Sequence, residues 1–505
     1  MPRPDRQLQG HVTSPTAAPI TRASVGLRSD RGPILASVML STALVAIDTT
    51  ILATAVPAVV EDLGGFTQFP WLFSTYLLAQ AVTTPIYGKL ADVFGRKPLM
   101  LLGIGLFVLG SVLCALSWSM TALIVFRAVQ GLGAGAIQPA GVTIMGDIYS
   151  VAERAVAQSY VAGVWATAAV VGPTLGGIFS EQLSWRWIFW INVPLGALAA
   201  VVLARRFHET AAGDARAAQT ERRPIDVTGA VLLAGAAVLL LLGLLEGGLR
   251  WAWWSPAGVG IFAAAAVLLA AFVAVEQRVA DPVLPLWVFR HRVLNSANVG
   301  ALIVGMLMLG VTSYVPVYAQ RVLGAGAVVA GLAVAALAIG WPIAASTAGR
   351  VYVRWGFRPC LLAGSLFGLA GTTIIALVGP GSPVWLMALG CLVLGLGLGY
   401  VASPGIVAAQ SAVPWHHRGV ATATNMFARS VGSAIGVALF GAVANGVVAS
   451  RLGGGHHAGD ADLDALPVAV LDPALHAVFV GVLIASLALV VAGLVMPRKF
   501  EPAAA

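Results

Sequence analysis

The chain is predicted to be an all-α integral membrane protein with fourteen membrane-crossing helices, arranged as two related six-helix halves with two further helices inserted between them. Three observations carry that expectation. Apolar residues fill 59% of 505 positions and charged ones only 10%, with a mean hydropathy of +0.89, whereas a soluble domain carries about 25% charged residues. Fourteen apolar runs follow one another with short connections, close to the ~20 residues a crossing helix needs. Residues that recur at a constant offset divide the chain into two copies.

In chain order the runs lie near 34–58, 70–88, 98–117, 121–141, 157–180, 187–205, 227–246, 257–276, 294–318, 328–348, 359–379, 384–409, 420–448 and 474–496. Residues 1–33 form a polar, basic tail without a separate short apolar segment and cleavage site, so the first run is expected to be retained as a helix rather than removed. The six runs within 34–206 make the N-terminal half. The tract 207–224, rich in Ala, Arg and acids, is a linker. Residues 225–280 hold the two inserted helices, 281–496 the C-terminal half, and 497–505 a short tail.

The offset is nearly constant. Gly131, Gly133 and Gly135 recur as Gly395, Gly397 and Gly399, Arg154 as Arg418, and Gly172 and Gly177 as Gly436 and Gly441, each 264 residues on. The charged stretch from Gly88 to Lys97 recurs in degraded form from Gly349 to Arg358, 261 residues on. Parallel repeats of this kind relate transporter halves about an axis along the membrane normal. Runs seven and eight have no counterpart and are the insertion.

The net charge of +8 does not point to nucleic acid, because of where the charge lies. With the N-terminus inside, 23 of the 29 Lys and Arg residues fall in inner loops and tails. That is the pattern of a cytoplasmic N-terminus, and an even helix count places the C-terminus there too. Trp71, Trp118, Trp185, Trp187, Trp251, Trp253 and Trp254 gather at the expected outer ends, where indole rings favour the headgroup level. Cys114, Cys360 and Cys391 sit in separate apolar runs and read as packing residues, since no zinc or disulfide spacing is met. The outer loop 450–472, with Gly453-Gly454-Gly455-His456-His457 and three aspartates, reads as a solvated loop rather than a metal site.

Few residues can carry chemistry. Asp48 is the one acid deep in an apolar run, where a charge costs ~2.5–3.5 kcal/mol on insertion scales. Ser37, Ser41 and Asp48 share a helical face. A carboxyl taken out of water can exchange protons near neutral pH, so Asp48 is a candidate proton carrier. The alternative is a structural acid held by neighbouring helices. Arg127, in the fourth run, is the second costly charge, and Asp48 is its obvious partner. Their repeat mates are uncharged, as with Asp92 and Val353, so coupling chemistry is expected in the N-terminal half. Gln130, Asn425 and Arg429 are further polar residues in apolar runs, and with Ser41 they are candidates to line a path. Gly163 and the stretch Gly172, Pro173, Gly176 and Gly177 suggest a closely packed, bent fifth helix. Glu246 is expected at the interface. One deep acid cannot pair directly with both charges of a rigid dication, so neutral or monocationic compounds are the expected substrates.

These residues resemble the fourteen-helix drug:proton antiporters of the major facilitator superfamily, over nearly all of 34–496. Asp48-Thr49-Thr50-Ile51 with Ala55-Val56-Pro57 and Asp62-Leu63-Gly64-Gly65 is similar to that family's first-helix motif. The stretch carrying Gly88, Asp92, Gly95, Arg96 and Lys97 resembles its conformational-switch loop. Leu123, Arg127, Gln130, Gly131 and Gly133 resemble its helix-four motif, linked in the family to proton transfer. Gly172-Pro173 with Gly176-Gly177 resembles the helix-five motif associated with export, and Trp185 through Pro194 is typical of the subgroup. The resemblance implies export of amphipathic drugs, dyes or antibiotics, often cationic, driven by protons moving inward. It implies no cofactor beyond the proton gradient, a monomer, and a multi-pass protein of the cell membrane with no nucleic-acid partner and no bound metal. Two other readings stay open: a dedicated exporter of one endogenous metabolite or lipid, and a membrane receptor or scaffold that does not transport. An enzyme is not expected, because no phosphate loop, paired catalytic acids or zinc-ligand cluster is found.

Overall fold

The computed structural model describes residues 25–64, 71–207, 226–247, 251–279, 282, 284, 286–451 and 467–498. The side chains of Pro173 and Glu246, residues 208–225 of the linker region and 452–466 of the outer loop lie outside the described residues.

Among the described residues fourteen long helices follow in order: α1 Gly32–Leu63, α2 Trp71–Phe94, α3 Arg96–Ala115, α4 Met120–Ile148, α5 Val151–Gln182, α6 Asn192–Arg206, α7 Val227–Glu246, α8 Pro256–Glu276, α9 Arg292–Arg321, α10 Ala327–Trp355, α11 Phe357–Leu377, α12 Val384–Ser411, α13 Arg418–Arg451 and α14 Val468–Val495. A single turn, Trp187–Trp190, precedes α6. Among the described residues, thirteen are long and apolar enough to cross a membrane. The fourteenth, α2, has 24 residues, enough for a span of ~36 Å. It is less apolar because Thr75, Gln80, Thr83, Thr84 and Lys89 interrupt it.

Helix starts follow from local chemistry. The Ser119 side chain accepts from the Ala122 amide at the start of α4. Ser150 and Glu153 form a reciprocal capping box on α5, satisfying two amide groups that the helix leaves unpaired. Asp226 caps α7 and Ser255 caps α8. Gly95 and its mate Gly356 hold φ of 95° and 90°, a conformation that favours glycine, and each allows a sharp reversal between two long helices.

Packing repeats as the sequence does. In the first half α2 and α3 pack on α4, α5 and α6 on α1, and α3 on α6. In the second half α10 and α11 pack on α12, α13 and α14 on α9, and α11 on α14. Glycines set the closest approaches: a Cβ at Gly133 would collide with Phe107 of α3, and one at Gly397 with Gly368 of α11. The halves meet along two seams, α5 against α10 and α2 against α13. The inserted α7 packs on α8 and against α2 and α13, placing Leu241 and Leu244 beside Leu78, Ala81, Val431 and Ala434.

The tryptophans divide. Trp118, Trp187 and Trp254 are exposed. Trp185 is buried and donates to Asp62 at 3.0 Å, and Arg186 pairs with the same carboxylate at 2.7 Å. Trp185 therefore ties the end of α1 to the turn before α6.

Candidate functional site

Two polar constellations stand out in an otherwise apolar bundle. The first is buried in the N-terminal half. Asp48 of α1 and Arg127 of α4 form an ion pair of 2.5 Å, each side chain 1% exposed. Gln130, one turn beyond Arg127, donates to the other Asp48 oxygen at 2.7 Å and to Ser111 Oγ of α3 at 2.8 Å. Asn192, at the start of α6, donates to the same Asp48 oxygen and to Ser111, each at 3.2 Å. Arg127 also donates to Gln130 Oε1 at 2.7 Å and to the Leu72 carbonyl of α2 at 3.1 Å. Its guanidinium lies over the Tyr76 ring at 4.2 Å. One carboxylate thus joins α1 to α4 and α6, while its partner reaches α2.

The close approach has a cause. Gly110 and Gly131 carry no side chain where a Cβ would strike Gln130 and Tyr76 respectively, so α3 and α2 lie against α4. Buried ions are tolerated only when paired and hydrogen-bonded, and here both Asp48 oxygens are engaged. Asp48 therefore sits in one network that joins α1, α2, α3, α4 and α6.

The second constellation joins the halves at the end of the bundle where the charged loops lie. Asp92, near the end of α2, accepts from the Gly419 and Val420 amides at 3.0 and 2.9 Å. These are first-turn amides of α13, which lack intrahelical partners and favour negative charge. Arg96 pairs with Asp92 at 2.9 Å and with Asp147 of α4 at 3.2 Å, donates to the Trp415 carbonyl at 3.0 Å, and stacks on the Trp415 ring at 3.8 Å. Arg418 reaches Asp147 at 3.2 Å. Arg154 donates to Ser411 of α12 at 3.2 Å and to the Gly146 carbonyl. Gln410 donates to the Val142 carbonyl at 3.2 Å, and Tyr352 to the Val151 carbonyl at 2.6 Å. Lys97 donates to the Ala204 carbonyl at 2.8 Å. A Cβ at Gly88 would collide with Ala423, so α2 and α13 touch through backbone.

The remaining candidates are spread out. Ser41 is buried and donates to the Ser37 carbonyl at 2.8 Å, while Ser37 bonds to α6 through the Ala199 carbonyl at 3.0 Å. Asn425 donates to the Ala297 carbonyl of α9 at 3.0 Å. Arg429 is half-buried on α13. Gly172 abuts Thr50 of α1, whereas a Cβ at Gly163 or Gly177 would meet open space. Gly176 lies within α5, which continues as helix through Pro173. A cavity of about 530 Å³ lies between α1 and α5, lined by Met39, Ala43, Ile47, Tyr160, Gly163 and Thr167 among others.

Sequence reasoning paired Asp48 with Arg127 but did not supply Ser111, Asn192 or Tyr76. Asn192 was available as a polar residue inside the Trp185–Pro194 stretch. Asp147 was overlooked as one acid among the loops.

Residues 38–245 and 225–437 match the family model described as Major Facilitator Superfamily. The chain is 33% identical over 420 residues to multidrug resistance protein 3 of Bacillus subtilis (strain 168), covering 83% of this chain and 80% of that protein. It is 31% identical over 420 residues to the multidrug transporter protein MdtP of the same organism, covering 83% and 76%. Among solved structures, the human organic anion transporter MFSD10 aligns with a TM-score of 0.63 at 14% identity, covering 93% of this chain and 99% of that one. The proton:xylose symporter XylE aligns at 0.60 and 13%, covering 90% and 94%. At such identities these two show the fold alone.

Proposed function

The chain belongs to the major facilitator superfamily, and we propose that it is a proton-coupled exporter of amphipathic small molecules, drugs among them, working as a monomer in the cell membrane with both termini in the cytoplasm. That it is a transporter and not an enzyme follows from the family. The names of its relatives support drug export. The observation that carries proton coupling is the buried pair of Asp48 and Arg127 with both carboxylate oxygens engaged.

The mechanism follows from that pair and from the joined end. With the charged loops on the cytoplasmic side, the bonds from Asp92, Asp147 and Arg154 close the path inward. With that end closed, Asp48 is bonded to Arg127, Gln130 and Asn192. A proton arriving at Asp48 removes the charge that Arg127 is paired with and weakens the tie between α1 and α4. Protonation then favours the alternative arrangement, in which the halves rock apart at the Asp92 end around a midplane site. Because a proton shifts the equilibrium only by binding one state better than the other, the difference in Asp48 contacts between states is the coupling. Asp92, Arg96 and Arg418 hold the closed end.

The test is uptake of a chemically varied panel into inverted vesicles, with and without a proton gradient. Uptake of several unrelated amphipathic compounds that collapses with the gradient is the expected result. Gradient-independent uptake would contradict proton coupling, and uptake of a single compound would favour a dedicated exporter.

A further inference from the structure

The cavity between α1 and α5 has no part in the proton-coupling reading. Its volume of about 530 Å³ falls within the ~300–1,000 Å³ of small-molecule sites. Met39, Ala43 and Ile47 stand on its α1 wall, and Tyr160, Gly163, Thr167 and Val171 on its α5 wall. A path between the halves would take a wall from each, whereas the residues lining this cavity all lie on two helices of the N-terminal half.

The register of α5 says which way the cavity opens. Tyr160, Gly163, Thr167 and Val171 follow at spacings of three, four and four, and Thr174 and Ile178 continue the row along one side of the helix. Thr167, Val171, Thr174 and Ile178 are exposed. Other residues of α5 meet the C-terminal half: Ala155 abuts Gly349 of α10, and Arg154 reaches Ser411 of α12. Lipid tails are as apolar as this exposed row, so the row faces the bilayer and the cavity opens there. The depth agrees. Ser37 of α1 bonds to Ala199 of α6, six residues short of Arg205, and Met39 lies two residues further in. At ~1.5 Å per residue the cavity begins about 12 Å inside that charged end, within the hydrocarbon layer.

The lining sets the chemistry of a guest. None of it is charged. Ser159 and Thr167 donate to the Val156 and Gly163 carbonyls of their own helix at 2.7 and 2.9 Å. The Tyr160 hydroxyl makes no hydrogen bond among the described residues, and a polar group left so in an apolar medium is costly. A lipid acyl chain would fill the space but offers Tyr160 no acceptor.

We propose that this cavity binds an uncharged apolar molecule carrying one hydrogen-bond acceptor, such as a ketone, which enters from the bilayer and takes its hydrogen bond from Tyr160. The site lies beside the proton site and not on it: Ile47 adjoins Asp48 in sequence, but Asp48 turns to α4 and α6. It names a substrate class for the exporter reading, which is needed here only for the fate of the bound molecule.

The test labels the full-length protein in lipid nanodiscs with benzophenone, an uncharged ketone that inserts into neighbouring C–H bonds on illumination, and reads the sites by mass spectrometry. Fluorenone and fluorene, alike but for the carbonyl oxygen, compete. Saturable labelling of cavity residues, Met39 among them, is expected, with fluorenone competing about fivefold better than fluorene, the order of one neutral hydrogen bond. Tyr160→Phe removes that difference and keeps the labelling. Gly163→Leu fills the space, since a Cβ there meets open space, and abolishes the labelling at unchanged thermal stability. Val170→Leu, exposed on the same helix outside the lining, leaves it unchanged. Where Gly163→Leu lowers stability, the Tyr160→Phe comparison decides alone. Labelling that does not saturate, that survives Gly163→Leu, or that fluorene and fluorenone displace equally from wild type overturns the proposal. So does a lipid that native mass spectrometry finds on wild type and not on Gly163→Leu, without saturable labelling, because the guest is then an acyl chain. Labelling needs no gradient. Vesicle uptake that fails while labelling stands sinks the exporter reading alone, and uptake that stands without labelling sinks this site alone.

Discussion

Arg154 and Arg418 stand at the same place in α5 and α13, 264 residues apart, and each reaches across to the other half, but they meet different partners. Arg418 finds the Asp147 carboxylate at 3.2 Å. Arg154 finds the hydroxyl of Ser411, the mate of Asp147, at 3.2 Å. The two seams are thus built on one plan with the acid kept on one side only. Asp92 repeats the asymmetry, because its mate Val353 offers no carboxylate to α5, where Tyr352 bonds to the Val151 carbonyl instead.

The charged seam should therefore open more readily than the neutral one when its acid is lost. Asp147→Asn removes the carboxylate paired with Arg418 and one of the two paired with Arg96, whereas Ser411→Ala removes one neutral acceptor. Hydrogen exchange of the amides at Arg418–Ala421 is expected to accelerate about tenfold in Asp147→Asn, the scale of a hydrogen bond to a charged group. Ser411→Ala should leave the corresponding amides of α5 nearly unchanged. Equal acceleration in both would show that the carboxylate adds nothing to the seam.

Asp92→Ala is expected to impair cycling rather than binding. The carboxylate caps the first turn of α13 from another helix, and loss of a cap costs about 0.5–2 kcal/mol. Turnover should fall about tenfold, with substrate affinity within about twofold of wild type. The check compares equilibrium binding with transport rate, and a collapse of affinity at normal turnover per bound substrate would remove the latch role.

Glycines of the fifth helix should differ sharply in tolerance. A Cβ at Gly172 collides with Thr50, while one at Gly177 meets open space. Gly172→Ala is expected to destabilise by about 1–3 kcal/mol through overpacking, and Gly177→Ala to be neutral or to stabilise by up to about 1 kcal/mol through helix propensity. Thermal unfolding of the purified variants separates the two, and a neutral Gly172→Ala would mean that α1 and α5 are not held in this contact.

What the sequence disclosed follows from what recurs. Apolar runs, the offset and the glycines at close crossings are periodic, so helix order and the likeness of the halves were readable. Asp48 and Arg127 were readable as a pair because both are charges where charge is costly. Ser111 and Asn192 were not, since small neutral polar residues are ordinary in membrane helices and only the fold brings them to one carboxylate. Ser41 shares a face with Asp48 by spacing, yet it donates to the Ser37 carbonyl of its own helix rather than joining the Asp48 network. Gly163 and Gly177 read as packing glycines but meet open space, because spacing alone does not say which side of α5 is covered.

The central claim is that Asp48 couples protons to transport, and Asp48→Asn in proteoliposomes tests it most directly. Asparagine keeps an acceptor for Arg127 but cannot carry the proton. The account predicts that the variant inserts and folds, still exchanges substrate across the membrane without a gradient, and shows no proton-driven accumulation and no proton flux on adding substrate. Proton-driven accumulation at the wild-type level in Asp48→Asn would contradict it.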